Sequence, residues 1–142
     1  MFLEAYDDPS ATGVWLWTGD HNSDDDYGRW VEAITEAEAR FRERSFVVVM
    51  VVDPGNPVAP PAVRRRVAEA STKHWSNAAF VLVSESRVVR GAFTAINWLR
   101  KPTFEHHVCA TFERALEWVQ RERGVERLPL ERLLQAARDR VV

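Results

Sequence analysis

Seven apolar residues run without a break from Phe46 to Val52, FVVVMVV. A strand with no alternation has both faces buried, as at the centre of a sheet flanked by helices. Upstream, VWLWTG from Val14 to Gly19 reads as a strand rich in β-branched and aromatic residues. The two-residue period of a strand puts Trp15 and Trp17 on one face and Val14 and Leu16 on the other. A weaker extended segment, Phe2 to Tyr6, pairs with it across the turn DDPSATG. AAFVLV, Ala78 to Val83, is a further short apolar strand, and EHHVCA, Glu105 to Ala110, a fifth and weaker one.

Between these runs the period changes to that of a helix. Tyr27, Trp30, Val31, Ile34, Ala37 and Phe41 form one apolar stripe, reaching to about Arg44. Ser23 and Asp24 are good N-caps for it, with acids near the positive end of the dipole. Pro60 and Pro61 fit only a first helical turn, which predicts a second helix running to about His74. Ser84 caps a third, with Val89, Phe93, Ile96 and Leu99 in register. Thr111 caps a fourth, with Phe112, Ala115, Leu116 and Val119 on one face, and Gly124 stops it. Pro129 opens a last helix that aligns Leu130, Leu133, Leu134, Ala137 and Val141.

The order β, β, α, β, α, β, α, β, α, α predicts parallel pairing by crossover connections, with one antiparallel edge strand from the N-terminal segment. The class is therefore α/β: a mixed sheet of four or five strands with helices mainly on one face. Residues 1–122 make up the domain. Residues 123–142 form a helical extension, packed on the domain or on a partner.

Composition narrows the class further. The chain has 142 residues, enough for one domain with a real core, and is 46% hydrophobic and 28% charged, as ordinary globular chains are. No apolar run approaches membrane-spanning length, and MFLEAYDDPS lacks a secretory signal's basic and apolar regions. One cysteine, Cys109, rules out an internal disulfide and fits a reducing compartment. A cytoplasmic protein is expected. Charge is uneven: residues 1–43 hold three Arg against eleven acids, a net of −8, and the remainder is +6. Such asymmetry steers partners but does not fix a fold.

Four stretches, in order, carry a family likeness. GDHNSDDDYGRWVEAITEAEARF resembles the polar turn and first helix after the second strand of the STAS superfamily (sulfate transporter and anti-sigma-factor antagonist), SpoIIAA-like branch. FVVVMVVDPG resembles that family's central strand and its terminal loop. NAAFVLVSESRVVRGAFTAINWL resembles the next strand and helix, and HHVCATFERALEWV the closing strand and helix. The likeness spans about Gly13 to Val119 and leaves residues 120–142 outside. It implies an α/β domain that binds proteins, switched by phosphorylation in the anti-sigma antagonists, and that binds small molecules or lipids in other branches. The antagonists' switch is a Ser or Thr just after the central strand, where a phosphate meets free helix N–H groups and adds about −2 charge. Here that stretch, Val51 to Ala70, holds no Ser and no Thr. The departure removes the usual phospho-switch.

The loop therefore has two readings. It is a turn between strand and helix, or it is a rigid docking face made of Asp53, Pro54, Gly55, Asn56 and Pro57 with Arg64 and Arg65 of the adjoining Arg64–Arg66 run. The last helix is a second candidate surface, through Leu130, Leu133 and Leu134. Other chemistry is thinner. His21, His74, His106, His107 and Cys109 invite a metal, but His107 and Cys109 alone share a strand face, and two ligands do not make a zinc site. Asp20, Asp24, Asp25 and Asp26 lack the spacing of a calcium loop and read as a solvated helix start. Three successive arginines fan over about 200° of a helix, and no aromatic platform is interleaved, so nucleic acid is not expected. No phosphate loop, nucleophile elbow or Cys-x-x-Cys motif is present, and no His at a recognisable position joins Ser84 or Ser86 in a triad. Six tryptophans stand out; most belong to a core, and Trp75, Trp98 and Trp118 fall near helix ends, where a groove or interface would use them. The expectation is a non-enzymatic, cofactor-free, protein-binding regulatory module without membrane insertion, whose partner is another protein or a second copy. The alternative is a module that holds a small apolar ligand or lipid between sheet and helix.

Overall fold

The computed structural model describes residues 1–73, 75, 77–99 and 103–142, without the side chains of 72, 73, 98 and 99. Five strands form one mixed sheet in chain order: β1 (Phe2–Asp7), β2 (Thr12–Trp17), β3 (Phe46–Val52), β4 (Ala78–Ser84) and β5 (Glu105–Cys109). β1 is antiparallel to β2, and every other pairing is parallel. The α/β class with an antiparallel N-terminal edge is as the hydrophobic pattern predicts.

Strand order dictates where the helices go. β2 to β5 advance in one direction across the sheet, and right-handed crossovers then place every connecting helix on the same side. Those helices are α1 (Asp24–Arg40), α2 (Pro61–Lys73) and α3 (Arg87–Leu99). After β5 the chain turns under the sheet, and α4 (Phe112–Arg123) and α5 (Arg127–Asp139) cover the opposite face. Three helices thus lie on one face and two on the other.

β3 is buried at every position, and its alternate residues feed two different cores. Phe46, Val48, Met50 and Val52 join Trp15, Trp17, Phe80 and Leu82 beneath α1–α3. Val47, Val49 and Val51 join Val14, Leu16, Val81 and Val83 above α4 and α5. The first core holds most of the aromatic rings, in edge and tilted contacts such as Trp17 with Trp30 at 5.4 Å and Trp15 with Trp75 at 5.4 Å. The second is mainly aliphatic. At Gly13 the Tyr6 ring on β1 comes close: a Cβ there would stand 2.7 Å from it.

Several boundaries differ from the pattern. α1 ends at Arg40, not near Arg44, because Phe41 turns into the core and its N–H closes on Ala37. The third helix is capped by Ser86, whose hydroxyl accepts from the Val89 N–H at 3.3 Å, while Ser84 ends β4 and accepts from Ser86 N–H at 3.1 Å. α5 begins two residues before Pro129 and ends at Asp139, so Val141 lies beyond it and is exposed. Leu130, Leu133 and Ala137 are buried against β1 and β2, and Leu134 is half-buried. His74 lies outside the described residues, as do the side chains of Trp98 and Leu99.

Candidate functional site

The parallel strands all end at one rim, where Asp53–Pro60, Thr18–Ser23 and Glu85–Ser86 emerge. Open α/β sheets usually bind ligands where neighbouring connections depart in opposite directions. This sheet advances in one direction and has no such point. The rim and the space between the sheet and its helices are then the places where loop and core side chains converge.

The loop after β3 is pinned at two places. Asp53 accepts a two-pronged hydrogen bond from Arg138 of α5, Nη1 to Oδ2 at 2.9 Å and Nη2 to Oδ1 at 2.9 Å. The Arg138 guanidinium, with help from Thr18, holds the Asp53 carboxyl below its ordinary range against the opposing effect of burial. Asn56 is buried and forms a reciprocal amide pair with Asn22: Asn22 Nδ2 donates to Asn56 Oδ1 at 3.0 Å, and Asn56 Nδ2 to Asn22 Oδ1 at 2.9 Å. Asn56 Nδ2 also donates to the carbonyls of Thr18 and Gly19. Gly55 sits at φ +87°, where a side chain would be strained, and lets the chain reverse between the two anchors. Of the sequence candidates, Asp53 and Asn56 thus face inward, while Pro54, Gly55, Pro57 and Arg65 are exposed. Arg64 is half-buried and is one of the residues lining the cavity beside the loop.

Under the loop lies a cleft between the aromatic face of the sheet and the helices α2 and α3. Its first cavity, about 50 Å³, is walled by Trp17, Tyr27, Trp30, Met50, Leu82 and Phe93, with Asn56, Pro57 and Arg64 among its residues on the loop side. A second, about 30 Å³, continues toward Trp75 and Phe104 and shares Trp30, Phe93 and Ile96 with the first. Trp75 closes this deeper end. It sits at φ +73°, an unusual conformation for a bulky residue. Its indole N–H donates to the Ile34 carbonyl at 2.6 Å, and its backbone N–H donates to the Glu38 carboxylate. Among its described side chains α3 buries only Ile96, with Val89, Ala92 and Phe93 half-buried, whereas α1 and α5 bury several residues completely.

The remaining candidates are dispersed. His107 stacks flat on Trp118, with centroids 4.9 Å apart, and burial followed by the nearby Arg121 pushes its pKa down. His106 instead faces Phe93 and Phe104 across the sheet. Cys109 is buried, which raises its thiol pKa, and its Sγ lies within reach of the Leu82 and Thr111 carbonyls. Among the described residues, no three His, Cys, Asp or Glu gather where they could hold a metal. Asp26 belongs to the start of α1: burial opposes its ionisation, but the Ser23 and Phe2 N–H groups hold its pKa low. No helix of the described residues is long and apolar enough to cross a membrane.

Sequence reading missed Arg138 and Asn22, and it placed a ligand between sheet and helix only as an alternative, without the residues that line the cleft. Arg138 stands 85 positions from Asp53, and only folding brings them together. The cleft's walls were visible individually as helix and strand stripes, but a gap between two stripes leaves no trace in either. Comparison with protein families, curated proteins and solved structures finds no match to this chain.

Proposed function

We propose that the protein is a non-enzymatic binding module that holds a small apolar molecule in the cleft beneath α2 and α3. The observation that carries this reading is the aromatic-walled space at the strand rim, covered by the two helices that, among the described side chains, bury the fewest residues. Pockets of this kind are apolar with a few placed polar groups. The present volume is below the roughly 150 Å³ that accommodates benzene, so occupancy requires α3 to move outward. We place the chain with STAS-like, SpoIIAA-like domains of bacterial regulation in the cytoplasm, on the strength of its element order and the four quoted stretches. The loop without Ser or Thr after β3 then favours ligand occupancy over phosphorylation as the regulatory input.

The test is titration with the neutral dye N-phenyl-1-naphthylamine. Saturable binding at one dye per chain is expected, and Ala92→Leu, which fills the cavity, should weaken it about tenfold. Absence of saturable binding to the intact chain would sink the reading.

A second reading, docking of a protein partner or a second copy through the loop, is favoured by the pinning of its exposed tip. A loop held at Asp53 and Asn56 loses little freedom when Pro54 and Pro57 are covered. Light scattering checks the second copy. A dimer that Pro54→Glu dissociates supports the tip as the contact, and a monomer at every concentration removes self-association.

A further inference from the structure

The cleft is apolar on nearly every side, and its polar lining groups are not equivalent. The Asn22 and Asn56 amides are occupied with each other and with the Thr18 and Gly19 carbonyls, and the Tyr27 hydroxyl lies 3.5 Å from Asn22 Nδ2. Arg64 is different. It is half-buried on the cavity wall, yet among the described residues its guanidinium has neither a carboxylate partner nor a hydrogen bond. No buried side-chain nitrogen lacks a partner among the described residues, so the Arg64 guanidinium keeps its contact with water and stands at the cleft wall as an unpaired cation with five donors and no acceptor.

We infer that the occupant of the cleft is an apolar monocarboxylate, its carboxylate paired with Arg64 and its hydrocarbon among Trp17, Trp30, Met50 and Phe93. This deepens the proposed function and rests on it. A single guanidinium matches a single carboxylate through two parallel N–H···O bonds, a geometry and charge that a neutral alcohol cannot reproduce. The second cavity lies in line with the first beyond Trp30 and Phe93, toward Trp75 and Phe104. An unbranched chain can reach from one of these small spaces into the other.

Octanoate and octan-1-ol, which differ at the head and share the tail length, decide it by displacement of the naphthylamine dye. Octanoate should displace at a concentration about tenfold lower than octan-1-ol, the scale of a hydrogen-bonded charge. Arg64→Met should bring octanoate to the level of the alcohol and leave the alcohol's curve in place. Arg42→Met, an equal change of charge on an exposed residue beyond α1, should alter neither. Equal potency of the two probes on the unmodified chain, or octanoate binding unaffected by Arg64→Met, overturns the inference while leaving the cleft a ligand site. Dye that neither probe displaces overturns the cleft reading itself, and this inference with it.

Discussion

Arg138 and Asp53 show what one pair of residues does in this molecule. The bridge ties the last helix to the loop after the central strand, and both partners are partly exposed, with side chains 41% and 21% accessible. Exposed pairs contribute little, so Arg138→Met should lower stability by only about 1 kcal/mol despite the two-pronged geometry. The pH dependence has a definite sign. The Asp53 carboxyl titrates below its ordinary value in the folded chain, so its stabilisation is present above the ordinary Asp range of about 3.9 and fades as pH falls through the folded value. Urea midpoints of the two chains should differ at pH 7 and converge in acid. A gap that persists unchanged in acid would mean the bridge is not the cause. Neither partner announces this role in the sequence. Asp53 was visible as a loop residue, but nothing singled out Arg138, and pairing them required the distance that folding supplies.

At the scale of elements the sequence was most legible where the cause is local. The start of α1 is a capping box: Ser23 Oγ accepts from Asp26 N–H at 3.1 Å, and the Asp26 carboxylate accepts from Ser23 N–H at 2.8 Å. The four residues from Ser23 to Asp26 suffice for this signal, as do Thr111 at the start of α4 and Gly124, at φ +65°, at its end. Ser23→Ala should cost about 1 kcal/mol, read as a lower urea midpoint with an unchanged slope. A slope change would point to disruption beyond the cap. Legibility fell where two local signals competed. Ser84 and Ser86 both qualify as caps, and the extension of β4 by pairing to β3 gives the role to Ser86. β5, the weakest strand by pattern, forms because β4 offers it a parallel ladder from Ala79 to Val83.

For the whole molecule, the last helix is where sequence left a choice. Its apolar stripe had to be buried, on its own sheet or on a partner. In the structure α5 lies across β1 and β2, with Leu130 and Ala137 fully buried. Leu130→Ala should therefore lower stability by about 3 kcal/mol, within the usual range for a buried leucine. A chain ending at Gln120 should lose cooperative unfolding, because the second core would stand open beneath β1 and β2. Cooperative unfolding of that shortened chain, monitored by circular dichroism, would show the helix to be dispensable to the core.

Periodicity and local capping determined the elements, their order and the α/β class, because each depends on residues a few positions apart. The unbroken apolar run of β3 determined that the sheet would be covered on both sides. Tertiary structure decided the rest: that Asp53 and Asn56 turn inward, that Arg64 stands on the wall of a cleft, and that α5 closes the aliphatic core. Those outcomes depend on groups from distant parts of the chain competing for the same space and the same hydrogen bonds, and no single segment of sequence carries that competition.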